Sequence, residues 1–250
     1  MILLTLALLQ TTPAVPAIDA DPEEARYERC TALVASAPDA AVAEAGTWRI
    51  AGGGLRARQC LGLAYAAQGK WAAAATSFEQ AARDAEASHD PRVATLWAQT
   101  GNARLAGGDA KGARSALDAA LARPALEGVA RGEAHLDRAR ALVAAGDLAG
   151  ARSDLDNALE LVPADPLGWL LSASQARRAG DLPRAQKDIA EALRLSADDA
   201  QVRLEAGNIA ALAGNEAEAK AQWTAATTVQ PGSPAATSAR TALAQFEAAP

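Results

Sequence analysis

Few residues in this 250-residue chain are of types that perform chemistry on their own. Cys30, Cys60, His89 and His135 are its only thiols and imidazoles. Metal sites gather such ligands at short spacings, because they must converge on one ion. Here the four lie far apart, with no C-x-x-C pair, so neither a metal nor a cofactor is expected. His89 stands just before Asp90-Pro91, a loop setting, and His135 falls inside a helical stretch; both read as structural. Glu23-Glu24 and Asp154-x-Asp156 could be taken for acid–base pairs. Residues two apart on a helix do not face each other, and Glu23-Glu24 suits a helix start, where carboxylates meet the positive end of the dipole. Gly52-Gly53-Gly54 lacks the Gly-Lys-Ser/Thr continuation of a phosphate loop, so it reads as a helix terminus or flexible joint. No G-x-S-x-G elbow, H-E-x-x-H or dinucleotide-binding glycine pattern occurs, and the chain is expected not to be an enzyme.

The elements that carry these residues must be helices. Half of the residues are apolar but only 4% are aromatic, and alanine dominates. Alanine has the best helix propensity and little bulk, which suits closely packed helices. The Val- and Ile-rich runs of central strands are missing; the longest β-branched cluster is Thr227-Thr228-Val229. The fold class is therefore all-α. The net charge of −6 is spread over interspersed acids and bases, read as a solvated surface. Without a basic run to neutralise phosphates, nucleic acid is not an expected partner.

A glycine followed by Lys, Asp or Asn recurs at Gly69-Lys70, Gly108-Asp109, Gly146-Asp147, Gly180-Asp181 and Gly214-Asn215. Each pair sits between two amphipathic stretches. Glycine supplies the left-handed residue that ends one helix, and Asp or Asn caps the next, so each unit reads as a helical hairpin. The second helix repeats small, large, small. Ala74, Ala113, Ala151, Ala185 and Ala219 come first. Phe78, Leu117, Leu155, Ile189 and Trp223 follow, then Ala81, Ala120, Ala158, Ala192 and Ala226. Steps of four and three keep these on one helical face. The first helices add Leu61-Gly62-x-x-Tyr65, with Gly101 and Gly207 in the place of Gly62 and a large residue at Trp169. Two of the repeat separations are longer, and the excess falls in residues 86–92 and 122–132. It is one added helical turn or a longer loop.

Together these residues resemble the tetratricopeptide repeat, W-x2-L-G-x2-Y…A-x3-F…A…P, in five copies over residues 55–231. The resemblance implies tandem hairpins in a right-handed α-solenoid. Residues 18–54 read as a divergent first hairpin starting at Asp21-Pro22, and residues 232–250 as a capping helix with Ala239, Ala242, Leu243 and Phe246 on its inner stripe. The family binds protein or peptide partners on the concave face lined by the first helices. Carried over position by position, that face here holds Arg56, Gln59, Gln99, Asn102, Glu133, Asp137, Arg140, Ser174, Gln201, Glu205 and Asn208. No Lys is among them, so the paired Lys and Asn that clamp a terminal carboxylate in some members are not matched. The implied function is a non-catalytic interaction scaffold, with a permanent structural subunit as the alternative. Neither the partner's identity nor the oligomeric state follows from the residues.

At the N-terminus, residues 2–9 form an apolar run broken only by Thr5, followed by Pro13 and then by Val15 and Ala17 at the spacing of a signal-peptidase site. Residues 1–17 are expected to be a signal peptide, too short to span a bilayer, and the mature protein to be periplasmic without a membrane span. Segment 21–54 continuing into Arg56-x-Arg58-Gln59-Cys60-Leu61-Gly62-Leu63 is similar to a group of exported bacterial proteins of this repeat family. A disulfide between Cys30 and Cys60 is expected. If both lie on the first helices of neighbouring hairpins, their heights differ by about 3 Å. Small residues (Ala32, Ala57, Gly62) would let the Cα atoms approach within the roughly 7 Å that a bridge needs.

Overall fold

The computed structural model describes residues 21–247. The helices are α1 (Pro22–Ser36), α2 (Pro38–Ile50), α3 (Gly54–Ala67), α4 (Trp71–Ser88), α5 (Val93–Ala106), α6 (Ala110–Leu121) and α7 (Gly128–Ala144). They continue as α8 (Leu148–Leu161), α9 (Pro166–Arg178), α10 (Leu182–Leu195), α11 (Ala200–Leu212), α12 (Glu216–Val229) and α13 (Pro234–Glu247), and no strand occurs among the described residues. Each odd helix folds back on the even helix that follows, and each hairpin stacks on the next, giving a solenoid with odd helices in one layer and even helices in the other. The segment expected to be a leader, residues 1–17, lies outside the described residues. No described helix is long and apolar enough to cross a membrane.

The turns follow the expected chemistry. Gly69, Gly108, Gly146, Gly180 and Gly214 all have positive φ, between 68° and 81°. The next residue's N–H reaches back to a carbonyl of the preceding helix at 2.9 Å in every case, from Lys70 to Tyr65 through Asn215 to Ala210. Asp109, Asp147, Asp181 and Asn215 then accept from the N–H three residues on, capping α6, α8, α10 and α12. Lys70 has no acceptor to offer, and α4 starts without a side-chain cap.

The core is a seam of alanines around one large side chain per hairpin. The ten alanines of the small–large–small pattern are fully buried. Opposite the large residue stands the position seven before the turn. A Cβ on Gly62 would lie 2.6 Å from Phe78, on Gly101 2.5 Å from Leu117, and on Gly207 2.4 Å from Trp223. Ala139 and Ala173 fill that place against Leu155 and Ile189.

The two repeat insertions resolve differently. Helix α4 has 18 residues against 14 in α8, an added turn that stops at His89, left-handed at φ 55°. The second insertion is split between the 122–127 loop around Pro124 and a longer α7 of 17 residues.

At the N-terminal end, the Asp21 carboxylate accepts from the Glu23 N–H at 3.0 Å and Pro22 opens α1. Gly52-Gly53-Gly54 is a helix terminus: Gly52 and Gly54 have positive φ, and the Trp48 indole covers Gly53 too closely for any Cβ. Cys30 on α1 and Cys60 on α3 form the expected disulfide, with Cα atoms 6.2 Å apart. The bridge is fully buried beside Ala45, Trp48 and Ala57. At the other end α13 lays Ala239, Leu243 and Phe246 over α11 and α12, with Phe246 edge-on to Trp223 at 5.5 Å.

Candidate peptide-binding face

Helices α3, α5, α7, α9 and α11 bring the eleven polar positions expected on the binding face into one layer, but they do not leave all of them free. Gln59 and Glu205 are buried, at 6% and 4% exposure. As they stand, neither is open to a ligand. The physical reason is that neighbouring helices satisfy them. Gln59 donates to Gln99 at 3.1 Å across the α3/α5 junction. Glu205 accepts from the Arg177 guanidinium at 2.6 Å across α9/α11, and Asn208 donates to its other oxygen.

The same bridging recurs along the layer. Arg56 on α3 pairs with Asp21 and with Glu24 on α1. Asn102 on α5 donates to Asp137 on α7 at 2.8 Å, and Arg140 pairs with the same carboxylate at 3.0 Å. The side chains of Glu133, Ser174 and Gln201 have no hydrogen-bond or ion-pair partner among the described residues, and Glu133 and Gln201 are exposed. Four of the five junctions between α1 and α11 in the odd layer are thus crossed by side-chain bonds: α1/α3, α3/α5, α5/α7 and α9/α11. Between α7 and α9 there is none among the described residues. At that junction lies an open cleft of about 130 Å³ lined by Ala139, Val143, Leu155, Leu171 and the buried Gln175, with Arg140, Ser174 and Arg178 at its edge.

A second polar system was hidden in the apolar seam. Asp154 and Asp188 each sit eight residues after a turn glycine, and both are 2% exposed rather than solvated. Arg138 donates to both oxygens of Asp154 at 2.7 Å, and His135 Nδ1 lies 2.8 Å from one of them. Arg138 also reaches Asp118 at 2.8 Å. Burial pushes the Asp154 carboxyl up, but the hydrogen bonds from Arg138 and His135 outweigh it and hold the group below the usual carboxylate range. Asp188 accepts from Ser172 and from Arg184, which also pairs with Asp156. His135 is therefore a structural partner of an aspartate. A sequence signal existed: Asp154 falls within the 151, 155, 158 stripe, and Asp188 within 185, 189, 192. An acid on an apolar stripe has to be paired.

A tetratricopeptide-repeat family model matches residues 61–130 and 170–234, and a second of the same description matches residues 132–174. No curated protein matches the sequence. Among solved structures, PilW, described as a widely conserved type IV pilus biogenesis factor, aligns with a TM-score of 0.73 at 19% identity, covering 88% of this chain and 99% of PilW. The pilF protein of Pseudomonas aeruginosa aligns with a TM-score of 0.72 at 14% identity, covering 88% of this chain and 97% of that one. YrrB, described as a TPR protein with an unusual peptide-binding site, aligns with a TM-score of 0.57 at 19% identity, over 74% of this chain and 91% of its own. At these identities the likeness speaks for the fold alone.

Proposed function

Because the chain belongs to the tetratricopeptide-repeat family, we propose that it is a non-catalytic interaction scaffold that holds an extended peptide segment of a partner protein against its odd-helix layer. The observation that carries this reading is the layer itself. Arg56, Gln99, Asn102, Asp137, Arg140, Ser174 and Asn208 line it with partly or fully exposed polar groups, interrupted by the exposed apolar Leu167. Peptides bind such surfaces by placing apolar side chains in pockets while polar groups meet their backbone. The bridged junctions hold the helices in fixed register, which lowers the ordering cost of binding.

The compartment we propose is the bacterial periplasm. The apolar run at residues 2–9 and the small residues Val15 and Ala17 support export, and a buried disulfide suits an oxidising space. The second reading is a permanent structural subunit of an envelope assembly. It draws on the likeness to PilW over 88% of this chain, PilW being itself described as a pilus biogenesis factor.

Site-specific photo-crosslinking tests the main reading. A photoreactive residue replacing Ser174 should capture a partner in the native envelope, whereas one replacing the exposed Lys187 on α10 should not. Cross-links from Lys187 alone would move binding to the opposite layer. A partner that washes off in salt supports the transient scaffold; stoichiometric co-purification through the wash supports the permanent subunit.

A further inference from the structure

The odd layer is bonded side chain to side chain at every junction from α1 to α11 but one. That exception, α7/α9, is also where the cleft opens. Its floor is apolar apart from Gln175, whose buried amide is bonded to the Leu148 carbonyl and to Arg152: Ala139 and Leu155 are fully buried, and Val143 and Leu171 are half-buried. At about 130 Å³ it has room for one leucine- or isoleucine-sized side chain. Its edge is basic. Arg178, in the last turn of α9, is exposed and has no ion-pair partner among the described residues. Arg140 pairs with Asp137 but keeps 43% of its side chain exposed. In a chain of net charge −6, most arginines are neutralised by a neighbour, so an unpaired guanidinium beside an apolar pocket is chemically distinct.

We propose that this cleft is the anchor subsite of the scaffold, and that it takes an apolar side chain whose neighbour in the partner segment is Asp or Glu. The apolar group fills the space over Leu155 and Leu171. The adjacent carboxylate pairs with Arg178, with Arg140 able to turn from Asp137 to share it. A guanidinium–carboxylate contact at the edge of an apolar pocket is directional and stronger than a neutral hydrogen bond. The segment is internal to the partner, because the layer continues past the cleft on both sides. Towards α5 it runs into the groove lined by Thr95, Asn102 and Glu133, and towards α11 it reaches the exposed Gln201. Glu133, acidic and unpaired, favours a basic residue further along the same segment. This assignment rests on the reading that the odd layer binds peptide.

The test is selection of phage-displayed random dodecapeptides, held at their C-terminus by the coat protein, on the full chain with its disulfide intact. Enriched sequences are then remeasured as labelled synthetic peptides by fluorescence anisotropy against the parent, Arg178→Glu and Glu133→Lys. Both substituted positions are exposed, and circular dichroism checks that the fold is kept. The expected result is enrichment of an apolar residue next to Asp or Glu, a loss of about tenfold or more in affinity with Arg178→Glu, and selection of basic neighbours by that variant. Peptides weakened by Glu133→Lys but indifferent to Arg178→Glu would overturn the subsite while leaving the peptide-binding layer in place. Peptides indifferent to both variants, or no enrichment at all, would overturn both.

Discussion

Replacing Gly207 by alanine should destabilise the C-terminal hairpin, although alanine is the better helix former. The added Cβ would stand 2.4 Å from Trp223 Cδ1 and 2.5 Å from its Nε1. Carbon atoms rest at about 3.5–4.0 Å, so the indole has to retreat by about 1 Å. It is held in place by a 3.1 Å bond from its Nε1 to Asn208 and by the edge-on Phe246 ring at 5.5 Å. Overpacking costs about 1–3 kcal/mol. Loosening the hydrogen bond and the aromatic contact adds about 1 kcal/mol each. The helix-propensity gain of alanine over glycine offsets about 1 kcal/mol. The net is a loss of about 2–4 kcal/mol, a fall of roughly 4–16 °C in Tm for a protein of this size. Gly46 supplies the opposite case. It lies inside α2 with nothing within 4 Å of an added Cβ, so Gly46→Ala should gain about 0.5–1 kcal/mol. Thermal melts by far-ultraviolet circular dichroism compare the two. The double variant Gly207→Ala/Trp223→Leu should recover part of the loss through a favourable coupling. The protein already uses that pairing, with Ala139 opposite Leu155. If Gly207→Ala melts at or above the parent temperature, close approach is not what requires glycine there.

Three further outcomes follow from the same packing and electrostatics. Ala185→Trp and Ala219→Trp, both at fully buried seam positions, should each lower Tm by overpacking, by about 1–3 kcal/mol or more; unchanged melts in both would remove those alanines from the seam. Alkylation without reductant of protein made in an oxidising compartment should modify neither cysteine, and reduction should cost about 3–4 kcal/mol for a separation of 30 residues on the entropic model; two labelled cysteines per chain would refute the bridge. Asp154→Asn should cost about 3 kcal/mol at neutral pH by leaving Arg138 half-paired. The Asp154 carboxyl is depressed in the folded protein, so its stabilisation is present above the unfolded pKa near 3.9 and is lost as pH falls through the folded value. The variant's stability should therefore fall less steeply than the parent's in that acid range, and identical acid limbs would refute the pairing.

The hairpins were legible because their signals are local. A left-handed residue after a helix calls for glycine, and the small–large–small face needs only one helix to be read. The length of α4 was not legible in the same way. Glu86, Ala87 and Ser88 suit either a further helical turn or a loop, and packing of Ala85 and Leu96 in one buried cluster accompanies the helical outcome. Pro124 marked the second insertion as a break. On the binding layer, residue types could be assigned to positions, but their availability could not. The Gln59–Gln99 and Arg177–Glu205 pairs link residues 40 and 28 apart in sequence, and their distances depend on how the hairpins stack. Asp154 and Asp188 are buried acids, against the general expectation of a solvated charged surface. Their place on the apolar stripe was the better guide.

The covalent tie between α1 and α3 makes the two ends of this stack unequal. In a one-dimensional array each unit is held only by its neighbours, so structure is lost from the termini inwards. At the start, the first and second hairpins cannot separate while the bridge is intact, whatever happens to α2 between them. At the finish, α13 is held by non-covalent packing on α11 and α12. Unravelling is thereby given a direction, from α13 towards the clasp. A partner seated across α7 and α9 would divide the array into a locked amino-terminal half and a carboxy-terminal half whose breathing it could suppress. The stack would then behave as a ratchet anchored at one end, with occupancy of the middle deciding how much of the free end stays wound.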